Sequence, residues 1–355
     1  MTATGAVRAV APEAGLPGRV ALGRRRRALR RRSIGAALAV LVLVLFAVSL
    51  MVGDTFYTPS EVLRTILGET VPGASFTVGE LRLPRASMGA LAGLAFGISG
   101  VTFQTMLRNP LAAPDVIGIS SGASAAAVVS IVLLQLDEAA TSFVAIVAAL
   151  LTAGVIYLLA YRDGVAGTRL ILIGIGVSAM LESVVSYVLL HAASYDLQTA
   201  MRWLSGSLNG ASWDQLLPLA LAVVVVGPVL LSREHDLGLL QLGDESAAGL
   251  GVRVERTRIV VVVAAVLLIA FATAAAGPIA FVAFLSGPIA ARLVGGGGGL
   301  MVPSALVGAA LVLGADLIGQ FASGNRFPVG VVTGVLGAPY LVYLLIRTNR
   351  AGGSL

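Results

Sequence analysis

Glu182 offers the most chemistry in this sequence, because residues 169–191, which carry it, are otherwise almost wholly apolar. Ser178 and Ser186 lie one helical turn to either side, so the three make a polar stripe on one helix face. A carboxylate in that setting either lines a water-filled pathway or is held protonated or hydrogen-bonded between helices, and the sequence leaves both readings open. Asp316, with Gln320 one turn on, reads as an interhelical hydrogen bond. Gln104, Arg108 and Asn109 gather at the end of another apolar stretch, where Pro110 and Pro114 turn the chain. Gln104 and Asn109 therefore join Ser178, Glu182 and Ser186 as candidate pathway residues. Asp115 reads as a first-turn carboxylate facing the positive end of a helix dipole.

What the sequence lacks narrows the chemistry further. All 24 basic residues are arginine, so there is no P-loop lysine, Schiff-base lysine or lysine general base. There is no cysteine, and His191 and His235 are the only histidines, which leaves no thiolate chemistry and no self-sufficient zinc or iron site. The expectation is that the chain has no metal site or cofactor of its own, and that any metal it handles arrives already wrapped.

The elements that position these residues are membrane spans. Of 355 residues, 57% are apolar even before the 43 glycines are added, and only 12% are charged, against about 25% in a soluble domain. Mean hydropathy is +0.94. A window of about 19 residues finds spans near 34–52, 86–106, 114–135, 139–161, 169–191, 213–231, 257–276, 278–294, 302–321 and 329–347. The fold class is thus an all-α polytopic membrane protein with about ten transmembrane helices. Pro278, Gly287 and Pro288 make the eighth span the weakest. With both termini cytoplasmic, only Arg64, Arg82, Arg85, Arg202 and Arg326 fall outside, which satisfies the positive-inside rule. Residues 1–33 read as a disordered basic cytoplasmic tail, residues 34–348 as a single membrane domain, and 349–355 as a short cytoplasmic tail.

Three extramembrane segments are long enough to fold. Thr58-Pro59-Ser60-Glu61 is a capping box with proline at the first helical position, which predicts a short outer helix. The 193–212 loop carries Trp203 and Trp213, suited to an interfacial belt. The one substantial cytoplasmic loop, 232–258, mixes Leu239, Leu240, Leu242 and Leu250 with Asp244, Glu245 and Arg253, which predicts an amphipathic docking element. Within the spans, Gly89, Gly93 and Gly97, then Gly118 and Gly122, form small-residue stripes that let helix backbones approach. An ion-coupled secondary transporter would rest on Glu182 and Asp316 alone. A membrane enzyme would need a nucleophile and base that the histidines do not supply. A passive pathway subunit driven by a separate ATPase, and docked through the 232–258 loop, accounts for more of these features.

Specific motifs sharpen that reading. Leu81-Arg82-Leu83-Pro84-Arg85, then Gln104, then Arg108-Asn109-Pro110-Leu111-Ala112-Ala113-Pro114, then Gly118 and Gly122-Ala123, resemble the FecCD family of ABC importer permeases. The likeness continues through Trp203-Leu204-Ser205-Gly206, Leu242-Gly243-Asp244, Gly277-Pro278-Ile279-Ala280, Ala315-Asp316 and Phe327-Pro328-Val329-Gly330, and spans residues 34–348. The resemblance implies a ten-helix subunit that pairs with a second permease copy or paralogue around a central pathway for iron-siderophore complexes, haem or cobalamin. It implies ABC ATPase subunits that bind the ATP, an extracytoplasmic siderophore-binding protein, membrane lipid as surroundings and no nucleic acid. It assigns Leu242, Gly243, Asp244, Glu245, Ala248, Leu250 and Gly251 to the helix that couples to the ATPase. Arg82 and Arg85 match outer arginines that receive the binding protein. Where the family has an arginine after its Ala-Asp pair this chain has Gln320, so Arg326 is expected to take that outer role. The glycines at 295–299 replace a family Asp-His-Arg segment, and the variant form is most similar to siderophore permeases that work as half of a heterodimer.

Overall fold

The structure is a computed structural model of the chain, and it describes residues 16–114, 118–161, 167–295, 298–322 and 324–350. Asp115 lies outside the described residues. Helix α1 covers Leu16–Met51, and a capped outer helix α2 covers Pro59–Ile66. Short α3 (Ala74–Phe76) and a π-helical segment (Thr77–Arg82) lead without a break into α4 (Leu83–Met106). Then follow α5 (Ile119–Val132), α6 (Glu138–Ala160), α7 (Gly167–Leu190), α8 (Ser194–Leu204) and α9 (Trp213–Ser232). Two short helices, α10 (Glu234–Leu240) and α11 (Asp244–Gly249), precede α12 (Val254–Ala276), α13 (Val282–Val294), α14 (Met301–Phe321) and α15 (Val329–Arg350). Among the described residues, 7 helices are long and apolar enough to cross a membrane, and α5, α13 and α15 supply shorter apolar helices. Each falls in one of the ten expected spans.

Helix α4 is the axis of the bundle and packs against α14, α12, α13 and α9. Its glycine stripe explains why. A Cβ on Gly93 would strike the backbone of Gly308 and Ala309, and one on Gly97 would strike Ser304. The backbones of α4 and α14 touch directly, which is how helices gain van der Waals contact where lipid offers no hydrophobic drive. Helix α13 starts late because Gly277 and Phe281 both sit at positive φ, 71° and 64°, which turns the chain through Pro278 before the helix begins.

The outer capping box forms as expected. Glu61 N donates to Thr58 Oγ1 at 3.4 Å, and Thr58 N donates to Glu61 Oε2 at 2.7 Å. The hydrogen bonds from Thr58 hold the Glu61 carboxyl below its ordinary pKa.

Of the tail expected at 1–33, residues 1–15 lie outside the described residues, and the rest is helical rather than disordered. From Leu16 the chain is helical and runs through the arginines at 24–32 into the first span, with no break before Met51. Arginine is a good helix former, and an apolar helix already nucleated below needs only propagation to extend upward.

Candidate translocation groove and coupling surface

A groove of about 620 Å³ opens on one side of the bundle, where α5, α7, the α12–α13 connection and α15 meet. One wall is polar: Glu182 and Ser186 from α7 face Ser120, Ser121 and Ser124 from α5. The other is apolar, built from Ile279, Phe281, Phe284 and Leu341. Phe281 sits edge-on to Phe284, with ring centroids 6.3 Å apart and planes at 86°. Space for the Phe281 ring comes from Gly337, where a Cβ would overlap it. Holding a phenylalanine at φ 64° costs roughly 1–3 kcal/mol, so the surrounding contacts must fix this ring at the groove wall.

The five expected pathway residues separate. Glu182 and Ser186 are exposed and line the groove. Ser178 does not: its hydroxyl donates to Gly174 O at 2.8 Å and packs against Gly118, where a Cβ would collide with it. Gln104 is buried, and its Nε2 donates to Phe284 O at 2.9 Å, tying α4 to α13. Asn109 Oδ1 accepts from Leu111 N at 2.9 Å and shapes the turn after α4. Gln104 and Asn109 are therefore internal braces, because in each case the side-chain amide answers a backbone group. The α5 serines went unnoticed in the sequence, although their spacing at 120, 121 and 124 already marks one face of an apolar helix.

The expected coupling element is α11 with its flanks. Leu242 and Leu250 stand 63% and 60% exposed at either end, with Glu245, Ala248 and Gly251 also exposed, while Ala247 is fully buried and roots the helix. Asp244 points back into the protein. It accepts from Arg108 Nη2 at 2.7 Å and from Arg258 Nη2 at 2.7 Å, linking α11 to the end of α4 and the start of α12. Gly243 and Gly251, at φ 108° and 91°, bound the element with turns that residues bearing a Cβ rarely adopt. An apolar pair is thus presented on a short helix whose base is clamped by charge.

On the outer side, two of the three expected docking arginines are used internally. Arg82 donates to Leu50 O, Met51 O and Thr55 O at 3.0, 2.9 and 2.6 Å, and lies over the Tyr57 ring at 5.0 Å. It caps the last carbonyls of α1, which have no partner within the helix. Arg85 pairs with Asp316 and also donates to Asn209 Oδ1 at 2.5 Å. Arg326 alone keeps an outward position, in an exposed pair with Asp54 at 2.8 Å. Asp316, expected as an interhelical hydrogen bond, is a full ion pair, and Gln320 Nε2 donates to its Oδ2 at 2.7 Å. Among the described residues, no group of three or more His, Asp or Glu side chains is placed to hold a metal ion.

This architecture has known relatives. The ferric enterobactin transport system permease protein FepG of Escherichia coli is 42% identical over 294 residues, covering 82% of this chain and 88% of that protein. The achromobactin transport system permease protein CbrC of Dickeya dadantii is 38% identical over 92% of this chain and 96% of its own length. Among solved structures, an inward-facing ABC transporter of metal-chelate type superposes with a TM-score of 0.80 at 26% identity, over 89% of this chain and 99% of that one. The FecCD transport family model matches residues 41–347, nearly the whole membrane domain described above, and the chain belongs to that family.

Proposed function

We propose that this chain is the permease subunit of an ATP-driven importer that passes ferric siderophore chelates across a bacterial cytoplasmic membrane. The observation that carries the proposal is the groove, polar on its α5–α7 wall and aromatic opposite. The kinship with ferric enterobactin and achromobactin transport permeases supports a ferric siderophore cargo. Iron held inside its chelator asks for no protein ligand, and a bulky amphiphile suits walls of mixed polarity.

In this reading a separate ATPase binds and hydrolyses ATP and engages Leu242 and Leu250, since the chain has no lysine for a phosphate-binding loop. An extracytoplasmic binding protein delivers the chelate to the outer face, where Arg326 is the one of the three expected docking arginines left for contact. Both termini lie in the cytoplasm, as the arginine distribution argues. The test is reconstitution of the permease with its ATPase and binding protein in proteoliposomes. Uptake of ⁵⁵Fe-labelled siderophore that requires ATP is the expected result. Uptake driven by a proton gradient without nucleotide would overturn it in favour of a secondary transporter.

A further inference from the structure

Seven arginines lie within residues 24–32, and the structure places them on a helix continuous with the first span. The helix divides them. Eighteen residues make about five turns, so residues 18 apart share an azimuth. Arg24, Arg27 and Arg31 lie above Val42, Leu45 and Ser49, all partly buried toward the bundle. These three arginines line a cleft with Val294, Gly295 and Gly298, and neighbouring Arg30 donates to Leu293 O at 3.1 Å. This face lies against residues 293–295 and 298, although its arginines stay exposed.

Arg25 lies above Leu43 and Arg26 above Val44, which are 65% and 51% exposed; Arg32 lies about 20° from Arg25, above Leu50, which is 2% exposed at the far end of α1. Leu29, 56% exposed, sits between them. Between Arg25 and Ala47 the outer face of α1 is therefore a strip, apolar below and cationic above, that ends where Leu50 packs into the outer cluster. All seven arginines are exposed and none has a carboxylate partner among the described residues, but only Arg25, Arg26 and Arg32 stand on the side of the exposed apolar face rather than against residues 293–295 and 298. The face that meets acyl chains at Leu43 and Val44 thus meets headgroups, and the space just beyond them, with three unneutralised guanidiniums. Arginine pairs bidentately with phosphate, and basic residues next to a span attract anionic lipid at about the Debye range.

We infer that Arg25, Arg26 and Arg32 form a selective contact for anionic phospholipid on the outer face of α1, so that the permease gathers such lipids around this helix. The occupant is lipid rather than protein because the cationic strip continues, in register, a surface already apolar enough to lie against acyl chains. The inference does not depend on the direction of transport or on the identity of the cargo.

The test uses the full-length permease in phosphatidylcholine nanodiscs doped with phosphatidylglycerol, and reads by native mass spectrometry which lipids remain bound as the complex is stripped. The wild-type protein should retain phosphatidylglycerol over phosphatidylcholine, and added salt should reduce that preference. R25Q/R26Q/R32Q should lower the preference roughly tenfold or more. R24Q/R27Q/R31Q removes the same charge from the same segment but from the inner face, and should keep it. Both proteins are compared only as folded, monodisperse material, so a defect in insertion is not mistaken for lost binding. Equal loss in both triple variants would mean diffuse charge rather than a lipid-facing site and would overturn the inference. So would a wild-type protein without preference, or an outer-face triple variant that retains it. Retention abolished by millimolar glycerol phosphate would assign the site to soluble anions, and would overturn it as well.

Discussion

Arg85 and Asp316 meet in a two-pronged ion pair, Nε to Oδ2 at 2.9 Å and Nη2 to Oδ1 at 2.7 Å, although 231 residues separate them. Asp316 is 3% exposed and Arg85 21%, so the pair is screened far less than a surface contact. Asn209 and Gln320 occupy further positions on the two groups. The pair fixes α4 to α14 on the outer side of the helix contact that Gly93 and Gly308 allow through their bare backbones. Without it, close packing of those glycines would have no fixed register.

Asp316→Ala strands the Arg85 guanidinium and should destabilise the protein by about 3 kcal/mol, the lower end of the range for a broken buried pair because Arg85 keeps some solvent. Arg85→Ala should cost a similar amount, and the double variant clearly less than the two combined. Thermal unfolding of the detergent-solubilised protein measures all three. Strict additivity would show that the two side chains do not act as a pair.

How far the sequence could be read depended on how local each cause was. The capping box at Thr58 and Glu61 and the stripe of Gly89, Gly93 and Gly97 were legible because their partners lie within a turn or on one helix face. The docking role of Arg82 and Arg85 rests on the family resemblance alone, because the sequence does not distinguish an arginine whose acceptor is another protein from one whose acceptor is a carbonyl many residues away. Their acceptors, Leu50 and Asp316, are brought near only by packing. The arginine run looked disordered because like charges repel, yet it continues a helix nucleated below it. The serines of α5 passed unnoticed because serine in an apolar helix commonly satisfies itself on the preceding turn.

Arg82 should behave as a helix cap rather than as a contact for another protein. Arg82→Gln removes charged hydrogen bonds from the end of α1 and should lower stability by about 1–3 kcal/mol. Its effect on affinity for the binding protein should show no special salt dependence, whereas Arg326→Glu should weaken that affinity most at low salt. Binding measured across a salt series separates the two. A reversed charge on the binding protein that rescued Arg82→Glu would refute the capping role.

Leu242 and Leu250 should carry the contact with the ATPase, because large side chains this exposed at the ends of a clamped helix are suited to fill a pocket. Leu242→Asp with Leu250→Asp should reduce ATPase capture by the purified permease roughly thirtyfold or more, as loss of an interfacial anchor does. Asp244→Asn should act differently. It weakens the clamp to Arg108 and Arg258 without touching the exposed leucines, so the ATPase should still bind while ATP hydrolysis and transport become uncoupled. A pull-down combined with an ATP-hydrolysis assay resolves the cases, and loss of binding in Asp244→Asn would place that carboxylate in the interface instead.

The groove can be mapped by thiol labelling, for which this chain is well suited because it has no native cysteine. Ser186→Cys and Ser124→Cys lie on the polar wall of the groove, on α7 and α5, and should react with a water-soluble maleimide. Ser178→Cys should react much more slowly, because position 178 packs against Gly118 with its side chain turned onto the preceding turn. Substrate chelate should protect 124 and 186 together, since they line one cavity, and leave 178 unchanged. Glu182→Gln should keep this labelling pattern but lower the rate of transport. It preserves the shape of the wall while replacing the acidic group by an amide, so a change in transport at unchanged labelling would tie the carboxyl itself to the passage of the cargo. Equal labelling at 178 and 186 would mean that the whole stripe faces water and that the helix is rotated from the position described. Labelling at neither 124 nor 186 in any nucleotide state would show that the cavity is closed by protein and is not the route of the cargo.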